Sequence, residues 1–186
     1  MSLARPLTRR AATAAARTLL LASVTLLAAC ATRPPAEPGA ERLSGRLSVR
    51  IDGQPDRSVS AGFELTGSAR AGALSLTTPL GTTAAQARWQ PGQAVLLANG
   101  STQTFNTLDE LVVQALGEAV PLAALFDWLR GRPWTDSPST ALADGSAGFV
   151  QLGWQVALGR FSEGWVEARR DTPPVVTVRA RLDRDE

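Results

Sequence analysis

Hydroxyls need a partner base before they can act as nucleophiles, so the chemistry of this chain rests on its other reactive groups, and they are few. The 186 residues contain no histidine, lysine or tyrosine, and only one cysteine. A histidine-based triad, a lysine base and a histidine-ligated metal are therefore excluded. Carboxylates remain, and Asp109, Glu110 and Asp127 fall within patterned segments. Asp109 and Glu110 stand in the first turn of an expected helix, where negative charge favours the dipole, and Asp127 is expected on a solvated helix face. There is no glycine-rich phosphate loop. The sequence offers no catalytic set and no metal site.

The single thiol reads differently. Arg5, Arg9, Arg10 and Arg17 precede an apolar run from Thr18 to Ala29, with no acidic residue before Glu37, which is the pattern of a secretory signal peptide over residues 1–29. The run is about a dozen residues, against the roughly 20 that a membrane-spanning helix needs. It ends Leu27, Ala28, Ala29, Cys30. That tetrad resembles the lipobox of bacterial lipoproteins, whose cysteine receives a diacylglycerol on sulfur and, after cleavage, an N-acyl chain. A lone cysteine cannot make an internal disulfide. Residues 30–41, with Pro34, Pro35, Pro38 and Gly39, are expected to be an acylated cysteine and a flexible tether. Ala31 is not the aspartate that retains lipoproteins in the inner membrane, so the motif implies anchoring at the periplasmic face of the outer membrane. Without the signal, fifteen arginines face seventeen carboxylates, a formal charge of −2. A basic surface for nucleic acid is not supported.

Residues 42–186 are expected to form one domain that is mainly β. Leu47, Val49 and Ile51 alternate with Arg46, Ser48 and Arg50, and Val59, Ala61, Phe63 and Leu65 alternate with polar or small residues, the pattern of half-buried antiparallel strands. Leu74 to Thr78, Ala85 to Trp89 and Ala94 to Ala98 continue it, and Asn99-Gly100 predicts a tight hairpin. Thr107 and Glu110 predict a capping box before an amphipathic helix ending at Gly117. Pro121 opens a second amphipathic helix with Leu122, Leu125, Phe126 and Leu129 on one stripe, stopped by Gly131 and Pro133. Trp134 to Gly148 reads as a polar loop. Val150, Leu152, Trp154, Val156 and Leu158 then alternate as one strand, followed by Trp165 to Arg169 and Val176 to Leu182. Such a sheet either closes on itself or is plugged on its concave face.

Pro79, Leu80 and Gly81 punctuate the stretch LSLTTPLGTTAAQARW. The proline and glycine mark a turn, which leaves Leu80 where polar residues are expected. It either folds back onto the core or projects outward to meet lipid or a partner. The lipid signal at the start of the chain favours the outward position.

The run Pro79 to Thr83, the segment PLAALFDWLRGRP from Pro121 to Pro133, and GFVQLGWQV from Gly148 to Val156, all behind a lipobox, resemble the LolB family of outer-membrane lipoprotein receptors over essentially the whole mature chain. The resemblance implies an unclosed antiparallel β-barrel of about 11 strands, with a helical lid over a hydrophobic cavity. It implies a monomer that takes acylated lipoproteins from the periplasmic carrier LolA and delivers them into outer-membrane lipid, without an added cofactor. Leu80 would be the protruding leucine of a membrane-contact loop, Pro79 to Gly81. Candidate cavity residues are Val49, Phe63, Leu65, Leu76 and Leu96 on strands, Leu125, Phe126 and Leu129 on the second helix, and Trp154; ordinary core packing accounts for each equally well.

Exposing three long acyl chains to water would cost on the order of 30 kcal/mol at about 0.8 kcal/mol per methylene. A receiver without nucleotide chemistry must pass such cargo downhill, binding it better than the carrier does and less well than the bilayer does. Two other readings share parts of the sequence. A non-catalytic envelope scaffold would carry the same lipobox and sheet without binding lipid, and a hydrolase lacks side chains for a usual mechanism.

Overall fold

The computed structural model describes residues 42–183; the signal, Cys30 and the tether lie outside the described residues. Alternation of apolar and polar residues sets the strands: in β1 (Arg42–Ile51) Leu47, Val49 and Ile51 are buried while Arg46 and Arg50 are exposed, and in β2 (Val59–Gly67) Ala61, Phe63 and Leu65 are buried. The meander continues through β3 (Gly72–Thr77), β4 (Thr83–Gln90), β5 (Gln93–Ala98) and β6 (Ser101–Phe105). Two helices follow, α1 (Leu108–Leu116) and α2 (Leu122–Trp128). The chain returns as β7 (Ser139–Ala141), β8 (Gly148–Gln151), β9 (Trp154–Ala157), β10 (Trp165–Arg170) and β11 (Val176–Leu182).

The eleven strands form one sheet in the order β6-β5-β4-β3-β2-β1-β11-β10-β9-β8-β7, with antiparallel neighbours throughout. Pairing of β1 with β11 joins the two meanders, whereas β6 and β7 are free edges. The barrel is thus unclosed, and both helices are inserted in the chain between the two strands that would have closed it. The register gives the barrel two distinct ends. Thr77 pairs with Thr83 and Ala98 with Ser101, so the β3–β4 loop and the β5–β6 turn share one end. The β8–β9 turn, between Gln151 and Trp154, joins them there, since Arg169 pairs with Gln155 and Arg170 with Val176. Arg42, which pairs with Thr66, opens β1 at the opposite end.

Local chemistry fixes the helices. Thr107 accepts a hydrogen bond from Glu110 N at 3.1 Å, as in a capping box, and Glu110 Oε2 reaches back to accept from Asn106 N at 3.0 Å, one residue before the amide that motif takes. Gly117 ends α1 at φ 73°, a left-handed cap that glycine takes without penalty. Pro121 stands at the cap of α2, one position before the first turn in which it is expected. Seven residues of α2 are too few for an independent helix, and tertiary burial compensates: Leu122, Ala124, Leu125, Phe126 and Trp128 are all buried. The expectation of an amphipathic second helix is therefore corrected; α2 is a plug surrounded by core on most of its circumference.

Two further corrections concern strands. Val150 to Leu158 is a hairpin, β8 and β9, with Leu152 and Gly153 in the turn at φ 54° and 77°. A two-residue loop preserves the parity of alternation, so the apolar pattern runs through the turn as if it were continuous strand. Within the expected polar loop from Trp134 to Gly148, Ser139–Ala141 pairs with β8 as a short edge strand whose exposed side chains carry no alternation to read.

Candidate functional site

Helix α1 lies beside β5 and β6, but its apolar face does not close onto the sheet. A cavity of about 480 Å³ lies between them. Leu47 and Val49 of β1, Ala61 of β2, Leu74 and Leu76 of β3, Ala85 and Ala87 of β4, and Leu96 of β5 form the sheet wall. Leu111, Val112, Ala115 and Leu116 of α1, with Val120, Leu122 and Leu125, form the helical wall. Small side chains leave the space open: Ala61, Ala84, Ala85, Ala87 and Ala98 stand where larger residues would fill it. The polar lining is Ser60, Thr78, Asn99, Ser101, Gln103 and Gln114, and no titratable group lines the cavity among the described residues. Thr78, Asn99 and Ser101 lie at strand ends, so the cavity reaches the loop end of the barrel that bears the β3–β4 loop.

Beyond the cavity, aromatic side chains pack the interior. Phe126 meets Trp89 edge to face at 5.6 Å, and Trp128 packs between Phe149 at 6.4 Å and Trp154 at 6.1 Å. Gln151, only 1% exposed, satisfies its polar atoms within this plug: Oε1 accepts from Trp128 Nε1 at 2.7 Å and Trp134 N at 2.9 Å, while Nε2 donates to the carbonyls of Trp134 and Ser137. Arg170 secures the link between the helices. It pairs with Glu118 at 2.6 Å, donates to the carbonyls of Ala119 and Pro174, and lies 5.6 Å over the Trp154 ring.

Of the expected lining residues, Val49, Leu76, Leu96 and Leu125 stand on the cavity wall. Phe63, Leu65, Phe126, Leu129 and Trp154 are buried in the packed core instead. The alanines of β4 and the α1 stripe are wall residues that the sequence reading did not assign; strand parity and helical spacing carried the signal for both. Asp127 departs from its expected solvated position. Its side chain is 14% exposed and accepts from Arg132 Nε at 2.8 Å, so it serves the turn after α2.

Pro79 touches the cavity, Leu80 beside it is 91% exposed, and Gly81 is exposed at φ 81°. The loop is internally braced: Gly81 N donates to Thr78 O at 2.9 Å, Thr78 N to Thr82 O at 2.8 Å, and the two threonine hydroxyls lie 2.8 Å apart. Proline at the second and glycine at the fourth position suit such a turn. Leu80 is therefore held outward on a structured tip. Hydrogen bonds from Ser146 hold the Asp144 carboxyl below its ordinary range, while hydrogen bonds to Glu163 and Glu167 raise Arg160 and Arg179, and none of these groups lines the cavity.

Comparison with known proteins adds an independent line. The family model described as outer membrane lipoprotein LolB matches residues 41–182. A protein named outer-membrane lipoprotein LolB from Bordetella petrii is 38% identical over 149 residues, covering 74% of this chain and 75% of the relative. Its namesake from Chromobacterium violaceum is 33% identical over 149 residues, covering 75% and 80%. The one from Cupriavidus pinatubonensis is 32% identical over 179 residues, covering 90% and 86%.

Proposed function

The chain belongs to the LolB family of outer-membrane lipoproteins, and from that premise we propose that it is a non-catalytic receptor which accepts acylated lipoproteins from the carrier LolA and inserts them into the inner leaflet of the outer membrane. The observation that carries this reading is the uncharged apolar cavity of about 480 Å³ reaching the barrel end that bears the exposed Leu80. An acyl chain in water seeks apolar surface, at about 0.8 kcal/mol per methylene, and a wall of aliphatic side chains supplies it without hydrogen-bond specificity, so chains of different length can enter. The alanine-rich β4 wall and the partial polar lining temper the affinity, which is what a transient holder requires.

In this reading Cys30 carries the diacylglycerol and N-acyl chain that hold the protein at the periplasmic face of the outer membrane, and residues 30–41 are the tether. No cofactor or metal takes part, and the receptor acts as a monomer. Leu80, flanked by Pro79 and Gly81, is the membrane contact, and Val49, Leu76, Leu96 and Leu125 are the wall residues that meet cargo chains. The test is to mix the full-length lipoprotein with carrier loaded with a labelled lipoprotein, then add vesicles and follow the label by flotation. Cargo should move first to the receptor and then to the vesicles. Cargo that stays on the carrier would overturn the receptor reading and leave a scaffold.

A further inference from the structure

Leu152 is an anomaly of turn chemistry. It occupies the first position of the two-residue β8–β9 turn at φ 54°, with Gly153 at φ 77°, a geometry that favours asparagine, aspartate or glycine at both central positions. A leucine there sits in a sparsely populated backbone region. Burial does not compensate, because Leu152 is 45% exposed. Register places this turn at the same barrel end as Leu80, and the turns lie on separate meanders of the sheet. Leu80 and Leu152 are each followed by a positive-φ glycine at a turn tip.

We propose that Leu152 is a second membrane contact, so that the loop end of the barrel meets the bilayer through two leucyl tips on different parts of its rim. The inference rests on the reading of Leu80 as a lipid contact. A lipid surface fits better than a protein partner for a physical reason. Stable protein interfaces bury about 800 Å² on each side around a packed apolar centre, whereas these are isolated tips; a bilayer accepts isolated apolar tips without shape complementarity. Two contacts also do what one cannot. A single point leaves the body free to pivot, while two define a line that limits the tilt of the cavity mouth against the lipid.

The test uses the full-length acylated protein on vesicles of phosphatidylethanolamine and phosphatidylglycerol. Leu80→Cys, Leu152→Cys and, as a control at the opposite end, Ser68→Cys would each carry an environment-sensitive fluorophore, read with quenchers placed on the acyl chains. Quenching at positions 80 and 152 but not 68 is expected. Quenching at 80 alone would overturn this inference and leave the Leu80 reading intact; quenching at neither would overturn both. Shielding of position 152 only on addition of the carrier would assign it to a protein contact and overturn the lipid assignment. Leu152→Asn supplies an independent check, since asparagine suits the turn better. The variant should fold with an unchanged or raised melting temperature yet deliver cargo to vesicles about tenfold more slowly, the factor that one leucine's transfer to an apolar phase is worth. Unchanged delivery would make Leu152 a turn residue only.

Discussion

The indole Nε1 of Trp128 donates to Gln151 Oε1 at 2.7 Å inside the core, tying the plug helix to a strand of the second meander. The same amide bridges the backbone at Trp134 and Ser137. Gln151→Leu would leave the buried Trp128 indole N–H and three part-buried backbone groups without their partner, at about 1–3 kcal/mol for a fully buried group and less for the others. A loss on the order of 3 kcal/mol or more is expected, measured by urea denaturation; a loss below about 0.5 kcal/mol would show that water or rearrangement satisfies these groups.

Ala85 faces the cavity from β4, whereas Phe126 is packed against Trp89. Ala85→Phe should therefore fill empty space and reduce binding of a fluorescent fatty-acyl probe while leaving the melting temperature nearly unchanged. Phe126→Ala should instead cost about 3–5 kcal/mol, as truncations of buried aromatics do. Equal effects of the two substitutions on stability would refute the distinction between wall and core.

Leu80 makes opposite predictions for core and surface. At 91% exposed, its replacement by Ala should change stability by no more than about 0.5 kcal/mol. Leu80→Glu should fold and accept cargo but stall before release to vesicles. A lowered melting temperature with normal release would contradict the membrane role.

Cys30 lies outside the described residues, twelve positions before Arg42 in the sequence. Cys30→Ala should abolish partitioning into a detergent phase while circular dichroism of the body is unchanged. A variant that still partitions like a lipoprotein would refute acylation at this position.

What the sequence revealed was decided by how local each signal is. Thr107, Glu110 and Gly117 specify a helix by contacts within a few residues, and the structure repeats them almost position for position. Asn99-Gly100 marks its hairpin openly, while Leu152-Gly153 hides one, because leucine is not a turn residue and its parity matches the flanking strands. Strand parity separates inward from outward but says nothing about depth. Val49 and Leu65 both point inward, yet one meets the cavity and the other lies in the packed core. That difference depends on how the helices pack across the sheet, a relation between distant segments that periodicity cannot encode.

The direction of β1 has a consequence for how far the body can travel. Its first residue, Arg42, is at the end opposite Leu80, about 30 Å away along a ten-residue strand. From Cys30 to Arg42 the chain is twelve residues, with a reach of about 40 Å when fully drawn out. If Cys30 is acylated and Leu80 meets the same bilayer, as proposed, this leash would have to cover the whole height of the barrel, with about 10 Å to spare. In the proposed reading, that spare length would let the body stand with its mouth toward the incoming carrier or somersault to place it on the lipid; a leash shorter by a few residues would hold it upright, with its mouth turned away from the bilayer.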